Sequence, residues 1–351
     1  MSKNFVALLL VALLGGGGFL FFKNYEVVGL EHISVRPREA SAADVNPDVN
    51  PDVNPDADSS TGDSNSSSNL PLPPAHKGET IRIASFNIQV FGQSKLNKPT
   101  VMQDLAKVVR QFDVVAIQEI RSKQPVLPRF IELINSTGQH NYGYVIGERL
   151  GRTSSKEQYA FVYDRATIEV DEASMYTVPG LKKQLHRPPF VALFRARGPP
   201  AEEAFTFQLI NIHTDPDDTK IELNALDDAY RYVRDHAPDE DDVILLGDLN
   251  VDERHLGQVA ELPYIKWIVT GETKTNTRLN KQYDNIVYNQ RATIEFTGRS
   301  GVFNLMSELG RSSAEALKIS DHMPVWAEFS VYENGRAGRV ATRREAAETT
   351  K

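Results

Sequence analysis

The sequence predicts an α/β domain with layered sheets. Short runs rich in β-branched and aromatic residues alternate with stretches of helical periodicity from about residue 80 to residue 333. Several of the predicted strands end in acidic, amide or histidine side chains. A chain of 351 residues with 40% apolar composition can bury a sizeable core, and because it contains no Cys, no disulfide stabilises it.

The elements follow from the spacing of apolar residues. Seven strands are predicted, at 81–87, 114–118, 159–163, 190–195, 205–213, 243–247 and 285–288. Three helices are predicted, at 100–111, 125–136 and 218–236. In the first helix, Val101, Leu105 and Val108 recur at the spacing of one buried face.

Residues 1–24 are predicted to be a membrane anchor or a signal segment. Phe5 to Phe22 is an 18-residue run without charge, flanked by Lys3 and Lys23, which is near the lower limit for a single spanning helix. The residues that directly follow the run do not resemble a small-residue cleavage site, which favours an uncleaved anchor over a secretory signal. Either interpretation predicts an extracytoplasmic protein, membrane-anchored or secreted.

Low-complexity segments flank the predicted domain. Residues 25–79 contain Val-Asn-Pro-Asp repeats followed by Ser, Asp, Asn and Pro, and predict an extended, disordered linker. Residues 334–351 carry five basic and two acidic side chains, and predict a basic, disordered tail. Residues 80–333 between them are the predicted catalytic domain.

The charge distribution limits how the domain could hold a polyanion. The net charge is −8, and residues 1–79 carry 5 Lys/Arg against 10 Asp/Glu, so the remainder has 34 against 37. A nearly neutral domain cannot bind nucleic acid by bulk charge. Local Arg and Lys contacts, and cations that offset an acidic cleft, would have to supply the affinity.

Polar side chains end several of the apolar strands. They are Asn87, Gln118-Glu119, His213 and Gly247-Asp248-Leu249-Asn250, followed by Asp284 and Ser320-Asp321-His322. Carboxylates and amides at strand ends can converge on one sheet edge, where they would suit a hard cation such as Mg²⁺. Taken singly, each has a structural alternative, because Gly-Asp-x-Asn is a common turn and a His after a strand is often structural.

In this order, the residues resemble the signature of the endonuclease/exonuclease/phosphatase superfamily. The segments Ile-Ala-Ser-Phe-Asn-Ile-Gln-Val-Phe-Gly at 83–92 and Leu-Gly-Arg-Thr-Ser-Ser-Lys-Glu-Gln-Tyr at 150–159 resemble deoxyribonuclease I-like enzymes in particular. The resemblance implies a four-layered α/β sandwich, with two packed mixed β-sheets flanked by helices.

The resemblance also implies roles for individual residues. The implied metal ligands are Asn87, Glu119, Asp248 and Asp321. The implied catalytic residues are Glu157, His213, Asp248, Asn250, Asp284 and His322, with His213 paired to Glu157 and His322 paired to Asp284. The implied substrate contacts are Arg121, Arg187 and Asn250. Gln89 and Ser155 depart from the family, which has an arginine and a tyrosine at these positions.

These features together predict a Mg²⁺-dependent endonuclease that cleaves DNA with little sequence preference. Mn²⁺ is an alternative ion, Ca²⁺ an additional structural ion, and RNA a second candidate substrate. The predicted partners are nucleic acid and, through the N-terminal segment, a membrane; no obligate protein partner is expected. Two alternatives remain open, a phosphodiesterase acting on lipid headgroups or nucleotides and a catalytically idle binding scaffold.

Overall fold

The computed structural model describes residues 25–28, 34–37, 78–152, 156–237 and 239–335. The chain divides into two units, Met1–Gly62 and Asp63–Lys351. In the first unit, β1 (Tyr25–Val28) and β2 (Ser34–Pro37) form an antiparallel pair. The predicted anchor, the rest of the predicted linker and the tail beyond residue 335 lie outside the described residues. Within the described part of the chain, no helix combines the length and apolar character needed to span a bilayer.

Two six-stranded mixed sheets form the second unit. The first sheet has the strand order β13-β14-β3-β4-β6-β5. Its strands are β3 (Thr80–Phe91), β4 (Val114–Ile120), β5 (Tyr142–Ile146), β6 (Gln158–Asp164), β13 (Phe296–Val302) and β14 (Val325–Ser330). The second sheet has the order β11-β12-β10-β9-β8-β7. Its strands are β7 (Ile168–Thr177), β8 (Phe190–Ala196), β9 (Thr206–His213), β10 (Val243–Asp248), β11 (Ile265–Trp267) and β12 (Asp284–Asn289).

Helices cover the outer face of each sheet. They are α1 (Gln93–Leu96), α2 (Pro99–Val109), α3 (Leu127–Asn135), α4 (Thr219–Leu223), α5 (Leu226–His236), α6 (Leu305–Leu309) and α7 (Ser313–Ile319). One apolar cluster lies between the first sheet and α2, α3 and α7, and a second fills the space between the two sheets. A third joins the second sheet to α4 and α5. The four-layered α/β sandwich is therefore confirmed.

The central strands are buried on both faces, which explains their continuous apolar runs. In β4, Val114 and Ala116 face the other sheet, whereas Val115 and Ile117 face the helices. In β10 the same alternation sends Ile244 and the other even-numbered residues between the sheets. Apolar patterning alone therefore predicted these strands, and the pairing puts their polar ends together.

The predicted helix at 218–236 is two helices, α4 and α5, separated after Leu223. The side chain of Glu222 in the first helix is buried and accepts hydrogen bonds from the backbone N–H of His186 and, at 2.7 Å, of Asp215. These contacts hold the short first helix against the loop that contains His186. Five strands of the sandwich were not predicted, namely β5, β7, β11, β13 and β14.

Candidate active site

The carboxyl ends of four strands meet at one edge of the sandwich. β3 and β4 run parallel in the first sheet, and β9 and β10 run parallel in the second. Their ends carry Asn87, Glu119, His213 and Asp248. The Nδ2 group of Asn87 donates to Asp248 Oδ2 at 2.9 Å, so the two sheets are joined at this edge by a buried hydrogen bond.

Asn87 lies between two carboxylates and has one oxygen to spare. Its Nδ2 donates to Glu119 Oε1 at 3.2 Å as well as to Asp248. Its Oδ1 is buried and has no hydrogen-bond partner among the described residues. A buried amide oxygen without a hydrogen-bond donor is unfavourable unless a cation or an ordered water meets it. This all-oxygen set fits a hard divalent ion such as Mg²⁺.

A bulge in the first sheet aims Glu119 at this site. The register of β3 with β4 shifts between Asn87 and Phe91, and Glu119 adopts φ of 63° in the left-handed region. Its Oε2 accepts from the backbone N–H of Val90 at 2.8 Å and lies 3.1 Å from an Arg121 guanidinium nitrogen. Left-handed backbone at a residue other than Gly is strained, and such strain is common at functional sites.

His213 is buried between two acidic groups. Its Nδ1 lies 3.2 Å from Glu157 Oε2, and its Nε2 lies 3.6 Å from Asp248 Oδ2. Burial alone would lower the pKa of His213, but the charges of Glu157 and Asp248 outweigh it and raise the pKa. Burial also acts on Glu157, and there the charges of His213 and Arg187 hold the pKa below its usual range.

His322 forms a second pair on the other side of Asp248. Its Nδ1 lies 2.9 Å from Asp284 Oδ2, and its Nε2 lies 3.5 Å from Asp248 Oδ2. Although burial opposes it, the pKa of His322 is raised by Asp284 and Asp248. Burial raises the pKa of Asp284 despite the neighbouring imidazole. Asp248, Asp284 and His322 also bring potential ligand atoms within 4.8 Å of one another, so this group is a second arrangement that could hold a metal.

Asp321 and Asn250 lie at the rim of the same group. Asp321 is the more open of the implied metal ligands, with 43% of its side chain exposed and Oδ1 at 4.0 Å from His322 Nε2. Asn250 adopts φ of 54°, donates its backbone N–H to Asp248 Oδ1 at 3.0 Å, and donates Nδ2 to Thr214 O at 2.9 Å.

The two arginines named by the resemblance differ in their surroundings. Arg187 is 5% exposed; its Nε lies 2.7 Å from Glu157 Oε1 and donates to His213 O at 3.1 Å. Its Nη2 is buried with no hydrogen-bond partner in the described part of the chain. The Arg121 side chain is 32% exposed and pairs with Glu119.

Comparison with known proteins places this arrangement in a family. Residues 84–322 match the Endonuclease/Exonuclease/phosphatase family, and this range holds every polar residue described above. The chain belongs to that family. It is a hydrolase of the endonuclease/exonuclease/phosphatase type.

Three relatives named as deoxyribonucleases cover most of the same region. Deoxyribonuclease gamma of Rattus norvegicus is 30% identical over 266 residues, covering 71% of this chain and 84% of the relative. Deoxyribonuclease-1 of Sus scrofa is 29% identical over 262 residues, covering 70% and 90%. Deoxyribonuclease-1-like 2 of Mus musculus is 31% identical over 265 residues, covering 72% and 92%. The resemblance to deoxyribonuclease I inferred from the motifs is confirmed.

Sequence reasoning missed several residues that support this family's site in the present chain. Lys95 on α1 is buried, and its ammonium donates to Gln89 O at 2.6 Å and Ile319 O at 2.7 Å. Burial lowers the pKa of Lys95 to about 8, even though Glu119 and Asp321 act in the opposite direction. Nothing in the local sequence indicates that a lysine on this short helix is buried beside the site.

Two further supports are hydroxyls. Thr275 Oγ1 accepts from the backbone N–H of Tyr283 at 2.8 Å and of Asp284 at 3.1 Å, which fixes the start of β12. Ser320 Oγ donates to Asn87 O at 2.7 Å and accepts from the His322 N–H at 3.1 Å. The Ser-Asp-His motif pointed to Ser320, whereas no signal pointed to Thr275.

Proposed function

We propose that this chain is a divalent-metal-dependent endonuclease that hydrolyses DNA phosphodiester bonds with little sequence preference. The observation that carries the proposal is the placement of two histidine–carboxylate pairs about one carboxylate. His213 Nε2 and His322 Nε2 lie 3.6 Å and 3.5 Å from the same Asp248 oxygen. A phosphodiesterase needs one group to accept a proton from water and another to protonate the leaving oxygen.

The two pairs suit these two proton transfers. Because Asp284 binds Nδ1 of His322, the ring directs Nε2 into the site, where the neutral imidazole would accept a proton from the attacking water. Glu157 orients His213 in the same way, and its charge favours the imidazolium form. Both rings are paired in the same way, and by the resemblance to the family His213 is the proposed acid and His322 the proposed base.

The remaining polar groups would bind either a divalent cation or the substrate phosphate. Asn87, Glu119, Asp248 and Asp321 are the proposed ligands of a divalent cation, which would neutralise charge on the phosphoryl oxygens. Asn250 Nδ2 has a second hydrogen beyond the one given to Thr214, and it can donate to a phosphoryl oxygen. Arg187 presents the unpartnered Nη2 beside the proposed acid.

DNA is the substrate proposed because the three relatives are named as deoxyribonucleases and the match to them spans the site. Arg121 is proposed as a contact to the duplex, and Arg187 as a phosphate contact. A location outside the cytoplasm stays a prediction from the N-terminal apolar run.

The test is hydrolysis by the full chain of three substrates, plasmid DNA, sphingomyelin and a dinucleotide, with Mg²⁺ or with chelator. We expect plasmid nicking that requires Mg²⁺. His213→Ala should lower turnover on plasmid by about 10²–10⁴-fold, the usual contribution of general acid–base catalysis, without changing the melting temperature by more than a few degrees.

The matched control is His140→Ala. His140 Nδ1 lies 3.6 Å from Asp164 Oδ2, at the opposite end of β6 from Glu157. The substitution therefore removes a histidine–carboxylate pair that is remote from the site. This variant should cleave plasmid like the parent. Full activity in folded His213→Ala would show that His213 is not the acid. Cleavage of sphingomyelin or the dinucleotide, but not of plasmid, would favour a phosphodiesterase acting on lipid headgroups or nucleotides. No turnover of any substrate would favour a catalytically idle scaffold.

A further inference from the structure

Five carboxylates gather at the end of the sandwich opposite the proposed active site. Glu240 and Asp241 precede β10, Asp242 adjoins its first residue, Glu295 adjoins β13 and Glu333 follows β14. We call these five residues the acidic cluster. Asp242 and Asp248 are six residues apart along an extended strand, which corresponds to roughly 20 Å at about 3.3 Å per residue. The cluster is therefore separate from the site described above.

The side-chain oxygens of the cluster are close enough to share one ion. Asp242, Glu295 and Glu333 have ligand atoms within 4.8 Å of one another, and so do Glu240, Asp241 and Asp242. The two groups have Asp242 in common. Three separate segments of the chain, from both sheets, therefore converge on a single carboxylate.

Within the described part of the chain, each of the two innermost carboxylates has one oxygen without a hydrogen-bond donor. Asp242 is 1% exposed and Glu295 is 2% exposed. Asp242 Oδ1 and Glu295 Oε2 are both buried, and the described residues offer neither of them a hydrogen-bond donor. Leaving a buried carboxylate oxygen without a donor or a cation is costly.

The described residues supply the cluster with hydrogen-bond donors, namely backbone N–H groups and the Thr206 hydroxyl, but with no positive charge. Glu240 Oε1 accepts from the Asp242 N–H at 2.8 Å, and Glu333 Oε2 accepts from the Thr206 N–H at 3.2 Å. Within residues 78–152, 156–237 and 239–335, no Lys, Arg or His forms an ion pair with any member of the cluster. Among the described residues, the buried charges therefore lack a counter-charge.

Burial and mutual repulsion raise the pKa values of the carboxyl groups in the cluster. Burial raises the pKa of Asp242 well above its usual range, and the other carboxylates of the cluster raise it further. Burial, with added repulsion from neighbouring carboxylates, raises the pKa of Glu240 and of Glu333 to about 7. Without an ion, the cluster can hold its full negative charge only at a considerable cost in stability.

We propose that the acidic cluster is a binding site for one Ca²⁺ ion, which joins the loop before β10 to the segments that flank β13 and β14. Ca²⁺ takes about six to eight oxygen ligands in flexible geometry, and carboxylates bind it through one or both oxygens. Mg²⁺ is the weaker candidate because it requires near-ideal octahedral geometry and retains several waters. The site's role is to stabilise the fold.

The test measures Ca²⁺ binding and thermal unfolding of the full chain after chelator treatment, with Mg²⁺ as the comparison ion. With Ca²⁺ at about one hundred times its Kd, the expected rise in melting temperature is roughly 5–10 °C for a domain of this size. The double variant Asp242→Asn with Glu295→Gln should bind one Ca²⁺ fewer and lose this rise. In chelator it should unfold at or above the parent's temperature, because two repelling charges are gone.

Three further variants make the result specific. Glu333→Gln changes a half-buried carboxylate and should weaken Ca²⁺ binding several-fold in a folded protein. Glu119→Gln, at the other end of the sandwich, should keep the Ca²⁺-dependent rise. Asp228→Asn, on the exposed face of α5, controls for the loss of one negative charge and should also keep it.

Two results would overturn the proposal. One is a parent protein whose melting temperature does not respond to Ca²⁺. The other is a double variant, or a Glu333→Gln variant, that binds as many Ca²⁺ ions with the same affinity as the parent. In either case the cluster would balance its charge by holding protons instead of an ion.

Discussion

Glu119 is held by contacts that fix both of its oxygens. Oε1 accepts from Asn87 at 3.2 Å, and Oε2 accepts from the Val90 N–H at 2.8 Å. Glu119→Gln retains the size of the side chain and one acceptor oxygen but removes the charge. Outer-shell partners of metal ligands are typically worth about 10–100-fold in metal affinity, and a direct ligand should cost at least as much. We expect the Mg²⁺ concentration at half-maximal nuclease activity to rise by roughly 10-fold or more.

The control for this prediction is Glu132→Gln, on the exposed face of α3. It removes the same charge from the outer layer and should leave the Mg²⁺ titration unchanged. If the Mg²⁺ titrations of Glu119→Gln, Glu132→Gln and the parent are all the same, Glu119 is not a metal ligand. The group formed by Asp248, Asp284 and His322 would then be the next candidate for the metal site.

Residue by residue, the sequence was most informative where a polar side chain ends an apolar strand. Asn87 and Asp248 could be selected because a buried strand has no structural need for them. Lys95 and Thr275 could not be selected, because their roles depend on hydrogen bonds to backbone atoms of residues elsewhere in the chain. The acidic cluster was missed for the same reason, since Asp242, Glu295 and Glu333 are far apart in sequence and share no motif.

The packing of β9 against β10 gives a prediction at the scale of the element. Gly247 pairs with Ile212 in parallel register, and a Cβ at Gly247 would lie 1.9 Å from Ile212 O, a backbone atom that cannot rotate away. Gly247→Ala must therefore separate the strands. Overpacking of a core typically costs about 1–3 kcal/mol, and occasionally more. Because His213 and Asp248 are the last residues of these two strands, activity should fall together with stability.

The measurement is denaturant unfolding, with Gly92→Ala as the matched glycine control. A Cβ at Gly92 would lie 3.7 Å from Ser122 atoms, an ordinary van der Waals distance, so this variant should unfold within about 0.5 kcal/mol of the parent. A Gly247→Ala protein as stable as Gly92→Ala would show that the two strands can move apart without cost.

Element prediction succeeded where burial is local and failed where it depends on the tertiary fold. All seven predicted strands are present, because strands such as β10 are apolar on both faces. β13 was missed because its residues are largely exposed, and it pairs only with β14. The contact of α4 with the loop at His186, through the buried Glu222, is likewise one that helical periodicity cannot reveal.

For the whole molecule, the distribution of charge sets how DNA would be held. The chain beyond residue 79 has 34 basic and 37 acidic side chains, and five of the acidic ones are in the cluster opposite the proposed active site. Duplex affinity would then rest on a few arginines near the site. Gln89 is half-buried next to Lys95, where the deoxyribonuclease I-like pattern has an arginine, and Ser155 lies outside the described residues.

The double variant Gln89→Arg with Ser155→Tyr should therefore improve activity on duplex DNA. An added phosphate contact steepens the dependence of log affinity on log salt by roughly one unit, and an aromatic ring in the minor groove favours a duplex over a single strand. Cleavage rates on matched single-stranded and double-stranded DNA across a salt series measure both effects. Gln111→Arg, exposed between α2 and β4 at the opposite end of the sheet, adds the same charge and should change neither. If the double variant shows no gain on duplex at any salt concentration, then either another residue already makes these contacts or the duplex is not the substrate.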